Sequence, residues 1–586
     1  MAHSGQDAQS VRRSPGRRLP LLGLLVGVTT VAWPSAGRAD AILTWNNELL
    51  DAIRQSSALW VDGPPEVARE MAMVDTAMFD AVNAATGLTY TSYAYTGKPV
   101  SGASADAAAL SAGYQVMTSI FSSPLWQLPL PKGSPAIAAN ILANINSTYT
   151  TALASLNLGD PQVVKGLVLG QTAAGTVIAK RSGDGANAAI VDGLTPQFPP
   201  GSGTVPGVYV PPSTRPEMLP LWGSVTPFGT SIGTIQGFEN QLPVFQAIQS
   251  QGVEAFVGSP LYANNLLQTE CQGSATALPG YVATACANAG FAPETPAQAK
   301  AALFWNDPGT TMQPPGHWLQ ITDNVMTSTT PGQSLNELQQ ARLSALVGIA
   351  EADAGIGAWD VKYYNKQMGS LWRPITAITG VAATVAGGSP VAGCTADSPA
   401  PWNSGFTTCD PGWTSLIATP PHPDYVAGHP AFSGAGATVL AGFFGTDNIA
   451  FASTSDIYCN FGTPVRDATG SITGCMVPDS DVPVTQCNDI PSGGTMFNDS
   501  PLICPITEEF SSFSEASSGP DGATFSRVAG GIHTPFAVND ARQLGDLIGA
   551  DDFANNLQFV PEPATSLLLL SGLAGLGLSR RWQSRV

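Results

Sequence analysis

Apolar and small residues recur at helical spacing along much of this chain, and the pattern predicts a mainly helical protein. The clearest case is "PPEVAREMAMVDTAMFDAVNAATG" (64–87), which opens on prolines and closes on glycine, as a buried helix does. The same periodicity marks 105–121, 136–157 and 161–185, and it resumes at 234–245 and 292–305. The longest run, "SLNELQQARLSALVGIAEADAGIGAWDVKYYNKQM" (334–368), predicts a helix that approaches Arg373-Pro374. The Pro/Gly-rich stretch 193–232 reads as loop, and 380–420 and 445–520 read as loop insertions. No β-type alternation of comparable length interrupts the helices. A soft boundary falls near 190–235, giving a helical region 40–235 and a second one 236–556.

The two ends depart from this pattern. Arg12, Arg13, Arg17 and Arg18 precede the apolar "LPLLGLLVGVTTVAW", and Gly37 and Ala39 supply the small residues of a cleavage site, so 1–39 reads as an export signal. Residues 557–586 contain Val560-Pro561-Glu562-Pro563, a short apolar run and the arginines Arg580 and Arg581. This order resembles the PEP-CTERM sorting tail of Gram-negative bacteria. The resemblance implies export to the periplasm, cell surface or extracellular matrix, transient membrane association through the tail, and its removal by an exosortase-type protease. Chemistry of the cysteines agrees with that compartment. All eight lie between 271 and 504, and although eight allow 105 pairings, neighbours 15 to 17 residues apart make four local loops the simplest arrangement.

Charge narrows the function classes. The chain carries a formal −19, and with both ends removed 16 basic residues face 41 acidic ones, near −25. Such a surface repels nucleic acid, so any internal cluster of cations calls for a different anion. Three stretches supply one. In "NKQMGSLWRPITAI", Lys366 and Arg373 are about two helical turns apart and would share a face if the helix reached that far. In "PHPDYVAGHPAFSGAGATVL", His422 and His429 flank Gly428, and His429-Pro430 opens a predicted helix whose free N–H groups suit an anion. In "FSRVAGGIHTPF", Arg527 and His533 are separated by the helix-breaking Gly530-Gly531. Together these residues suit a tetrahedral or trigonal-bipyramidal oxyanion.

In order and internal spacing, Lys366-x6-Arg373-Pro374, then Val426-Ala427-Gly428-His429, then Ser526-Arg527-x5-His533 resembles the three-part signature of the vanadium-dependent haloperoxidase and type-2 phosphatidic acid phosphatase superfamily. The resemblance implies an all-α fold of helical bundles with disulfide-bearing insertions, and vanadate as cofactor. It makes Lys366, Arg373, Arg527 and the Gly428 N–H the oxyanion clamp, His533 the axial vanadium ligand, and His429 the general acid/base. Asp307 resembles the carboxylate that supports His429, and His422 takes the halide-side position. The activity implied is oxidation of halide, bromide or iodide favoured, by hydrogen peroxide. A soluble acid phosphatase acting on phosphate esters uses the same geometry, and a non-catalytic matrix protein retaining the fold is the third reading. Two positions depart from the pattern: Ala427 replaces a serine, and Ala537 replaces an acidic residue, with Asp540 three further on. His317, in "PPGHW", reads as structural, and oligomeric state is not written in the sequence.

Overall fold

The computed structural model describes residues 40–561 apart from 58–61, 129–132, 196, 198–205, 210, 212–216, 364–369, 381–394, 399, 401, 404–408, 461–462, 468–471, 477–482, 484 and 486–501. The expected signal (1–39) and nearly all of the tail lie outside the described residues, as does Lys366.

The architecture is mainly helical, as the periodicity predicts. Its axis is the helix Glu337–Lys362, buried on nearly every side and opened by a capping box of Asn336 and Gln339. A helix apolar all round must be enclosed, and small residues make the enclosure tight. A Cβ on Gly348 would stand 3.0 Å from the Cα of Ala72 in the neighbouring helix Pro64–Ala85, itself almost wholly buried. On another side the helices Gly428–Phe444 and Pro535–Asn555 cross so closely that a Cβ on Gly545 would meet the Ala431 carbonyl oxygen at 2.1 Å. Ala105–Phe121 and Pro161–Arg181 form an outer layer, where a Cβ on Gly170 would sit 2.2 Å from the Ala108 oxygen. One continuous apolar core runs through these elements, from Ala41 to Leu557.

Buried carboxylates hold loops onto this frame. Asp353, in the central helix, accepts from the N–H groups of Phe228, Gly229 and Thr230, and Asp80 accepts from those of Tyr93, Ala94 and Tyr95. Each thus satisfies three backbone donors that a loop crossing a core would otherwise leave unpaired.

Two differences from the sequence reading concern the site. The central helix stops at Lys362, so it does not reach Arg373; Arg373 is instead the extended N-cap of a short helix, Pro374–Thr379. The stretch before it is held by an isolated antiparallel bridge rather than a helix ladder, with Tyr209 N–H donating to Ser370 O and Trp372 N–H to Gly207 O. The insertion 445–520 also holds more than loop. Phe451–Thr454 pairs antiparallel with Thr507–Phe510, Tyr458–Cys459 with Leu502–Ile503, and Thr463–Arg466 with Ile472–Met476. Disulfides join Cys271 to Cys286 and Cys459 to Cys475, two of the four expected loops. Cys409 and Cys504 are disulfide-bonded as well, while Cys394 and Cys487 lie outside the described residues. Among the described residues, no helix is long and apolar enough to cross a membrane.

Candidate oxyanion site

Three chain segments converge beside the C-terminal end of the central helix. The first brings Arg373, buried at 2% exposure. Its guanidinium is fixed on three sides: Nε donates to the His422 carbonyl (2.6 Å), Nη1 to the Ile532 carbonyl (2.6 Å), and Nη2 to His422 Nδ1 (2.9 Å). The second segment is 422–429, tied down by Asp424 N–H to Leu371 O and Ala427 N–H to Ala537 O. It feeds directly into the helix Gly428–Phe444. Ala427, the N-cap, has no side-chain acceptor to offer, so no cap hydrogen bond occupies the first-turn N–H groups. Gly428 lies against Trp359, where a Cβ would stand 3.3 Å from the indole. The third segment is the helix Ala523–Ala529. It ends at Gly530, and Gly531 takes φ 73°, a left-handed turn natural to glycine, which swings His533 back until its N–H meets the Arg527 carbonyl.

His533 is the most constrained imidazole. Nδ1 lies 2.7 Å from Asp424 Oδ1, and Nε2 lies 3.0 Å from Arg373 Nη1. A carboxylate accepts and a guanidinium donates, so the proton sits on Nδ1 and the lone pair on Nε2. Asp424 is itself held by the Thr534 hydroxyl (2.7 Å) and N–H (3.3 Å). Burial raises its carboxyl to about 6, against the opposing pull of Arg373 and Lys362. Burial, then the charges of Arg373 and Lys362, hold His533 well below the usual imidazole range. His422 is lowered for the same causes, and its ring lies 5.3 Å from that of Trp359 and 6.2 Å from that of His533.

Arg527 is fully buried. Nε donates to Ser526 Oγ (3.1 Å) and Nη2 to the Ala302 carbonyl (3.1 Å), while Nη1 has no hydrogen-bond partner among the described residues. Burial brings both Arg373 and Arg527 down to about 10. A cavity of ≈ 140 Å³ opens here, lined by Arg527, Gly428, His429, His422, Asp307 and Asn306 among others, with Trp359, Phe432, Met218 and several prolines as apolar wall. The half-buried His429 lowers its pKa through burial and then the charge of Arg527.

The structure thus brings together Arg373, His422, Gly428, His429, Arg527 and His533. It changes the role of one carboxylate. Among the described residues Asp307 makes no direct hydrogen bond to His429; it pairs with His317, whose Nδ1 lies 3.1 and 3.2 Å from the two carboxylate oxygens. The His429 ring instead meets the Asn306 carbonyl through Nε2, at 3.2 Å. Asp540 does not orient His533 either, since it accepts from the Tyr425 hydroxyl (2.7 Å). Two residues went unread in the sequence. Asp424 supports His533 across 109 positions, a pairing no local spacing encodes. Lys362 is a buried cation whose Nζ donates to the Pro423 carbonyl (2.8 Å); burial and then Arg373 depress its pKa strongly.

Those groups form a cationic, imidazole-bearing recess. Among the described residues, no three His, Cys, Asp or Glu side chains are placed to hold a bare metal cation. An anion fits instead: among the described residues Arg527 Nη1 is a buried donor with no acceptor, Gly428 at the start of its helix lines the same cavity, and His533 keeps Nε2 unprotonated.

The fold that carries this recess is that of the vanadium-dependent haloperoxidases. A bacterial vanadium-dependent iodoperoxidase superposes with a TM-score of 0.55 at 17% identity, covering 89% of this chain and 98% of the other. A holo-type bacterial vanadium-dependent chloroperoxidase does so with a TM-score of 0.51 at 14% identity, covering 86% and 95%. Residues 342–561 match the family model described as the VCPO second helical-bundle domain. Residues 559–584 match the PEP-CTERM protein-sorting motif, which indicates export and surface-directed sorting in Gram-negative bacteria. No curated protein matches the sequence.

Proposed function

We propose that this chain is an exported, vanadate-dependent haloperoxidase that oxidises halide with hydrogen peroxide. The observation carrying the proposal is the pairing of His533 with Asp424. A histidine that ligates through one nitrogen characteristically gives its other N–H to a carboxylate, and here that leaves the Nε2 lone pair, which now accepts from Arg373 Nη1, as the one that would ligate. Arg373 and Arg527 supply two buried positive charges, the signature assigns Lys366 as a third, and the start of the helix Gly428–Phe444 adds backbone N–H groups. Vanadate bound among them would act as a Lewis acid that makes peroxide electrophilic toward halide. The remaining work falls to protein groups. Forming hypohalous acid and water from peroxide and halide consumes one proton, and His429, at the cavity wall and neutral near pH 7, is placed to take and return it. His422 lies on the halide side, against Trp359.

The test is bromination of a diketone dye by the purified, disulfide-formed chain with orthovanadate, peroxide and bromide, beside hydrolysis of p-nitrophenyl phosphate without vanadate. Vanadate-dependent bromination lost in His533→Ala is the expected result. Hydrolysis alone would move the protein to the phosphatase reading, and silence in both assays, with no vanadate bound, to the non-catalytic one.

A further inference from the structure

The loop that rims the cavity between Asn306 and Gln313 carries three non-glycine residues in left-handed backbone conformations: Asp307 (φ 41°), Thr310 (φ 85°) and Gln313 (φ 58°). Side chains longer than glycine rarely adopt these angles, and they persist only where surrounding contacts over-determine them. The far half of this loop is pinned by several groups. Ser57 Oγ accepts from Thr310 N–H (2.9 Å) and donates to the Thr311 carbonyl (2.9 Å), Gln313 Nε2 donates to Asp62 O (2.8 Å), and Met312 N–H donates to Asp456 (2.8 Å). The near half, which faces the active cavity, is held by two buried side chains: Asn306, whose Nδ2 donates to Asn460 Oδ1 (3.3 Å), and Asp307. Both oxygens of Asp307 meet His317 Nδ1.

His317 is built as a clamp. It is 0% exposed, packed with ring centroids 4.7 Å from Trp305 and 4.9 Å from Phe304, and fixed on its far side by Nε2 to Ser453 Oγ (3.0 Å), which bonds onward to Gln320 Oε1 (2.8 Å). What the clamp fixes is the peptide that ends in Asn306 O. That carbonyl accepts from His429, so Nε2 must carry the imidazole proton. The other nitrogen, Nδ1, makes no hydrogen bond to any described residue.

We infer that His317 is a positioning residue for His429: acting through Asp307, it holds the Asn306 carbonyl where it fixes His429 as the Nε2–H tautomer, leaving Nδ1 as the nitrogen that exchanges protons in the cavity. The inference rests on the reading of His429 as the proton carrier, but its geometric content does not depend on haloperoxidase activity.

The experiment separates the two. The full chain, labelled with 15N-histidine, has five imidazoles to assign, and long-range proton–nitrogen correlations report each tautomer directly. Wild-type His429 is expected as a single Nε2–H species; a His429 protonated on Nδ1 overturns the inference without any variant being needed. Two substitutions then probe the clamp. An asparagine amide reaches the place of the imidazole Nδ1 and a glutamine amide that of Nε2, so H317N keeps the donor to Asp307 and H317Q loses it. H317Q is expected to show mixed tautomers at His429 and, in the bromination assay, about a tenfold lower kcat with KM for peroxide unchanged, the equivalent of one misplaced hydrogen bond. H317N is expected to restore both readouts. A purely structural His317 would lower the melting temperature in both variants and leave the tautomer intact, which overturns the inference. A tautomer that responds as expected in a protein without peroxidase activity would uphold the clamp and defeat the functional reading alone.

Discussion

His533 and Asp424 are the residues on which the site's chemistry turns. Converting the acid to its amide, Asp424→Asn, removes the negative charge behind Nδ1–H and one of the two oxygens shared by His533 and Thr534, while nearly preserving shape. Orthovanadate affinity, measured by isothermal titration, is expected to fall about 10- to 100-fold, the usual cost of losing a carboxylate behind a ligating histidine. Asp540→Asn is the informative contrast. Its carboxylate holds Tyr425, not His533, so vanadate affinity should stay within about twofold of wild type, a change small on the scale of a single hydrogen bond. Lys366 lies outside the described residues; that Arg373, Gly428, His429, Arg527 and His533 come together was legible because their types and spacings can be read directly along the chain. The roles of Asp307 and Asp424 were not, because each depends on which strand of backbone lies next to an imidazole after folding. In one case the Asn306 carbonyl, not the Asp307 carboxylate, meets the His429 ring, and in the other a side chain five residues before His429 serves a histidine in a different segment.

At the scale of elements, the helices were legible wherever they bury a periodic face, and the two errors have physical causes. Apolar and small residues continue past Lys362 toward Arg373, yet Leu371 and Trp372 are buried in extended backbone paired with Val208 and Gly207. Burial alone does not distinguish that from a helix. The strands of 451–510 are two to five residues long, too short to show alternation. Helix crossings yield a sharper expectation. Gly545→Ala drives a Cβ into the Ala431 carbonyl, a backbone atom that cannot rotate away. Urea denaturation should show a loss of about 1–3 kcal/mol, and because Ala431 lies two residues beyond His429, activity should fall with it. Gly175, in the helix Pro161–Arg181, has nothing within 4 Å of its would-be Cβ. Gly175→Ala should therefore stabilise the chain by about 0.5–1 kcal/mol in the same assay.

For the molecule as a whole, buried acids set the response to pH. Burial raises Asp62, Asp323 and Glu270 to about 8, and Glu239 and Glu294 to about 9. Each folded value exceeds the unfolded one, so each contribution to stability is complete at low pH and is lost as pH rises through the folded value. Histidines 422, 429 and 533 are shifted the other way and add stability as pH rises toward about 6.5, beyond which they are silent. Lys362, depressed by burial, opposes the acids with a single charge. Between pH 7 and 9 the carboxyls dominate, and the urea midpoint should drop steadily across that window.

The disulfides also bear on how the chain comes to be folded. Cys271–Cys286 and Cys459–Cys475 each join cysteines that are neighbours along the sequence, 15 and 16 residues apart. A polypeptide threading N-terminus first into an oxidising space presents each thiol's correct partner before any wrong one, and the shorter loop is the easier to close. Oxidation in order of emergence therefore yields these two bridges with no reshuffling, so the yield of oxidised protein should depend on a thiol oxidase and be insensitive to a disulfide isomerase.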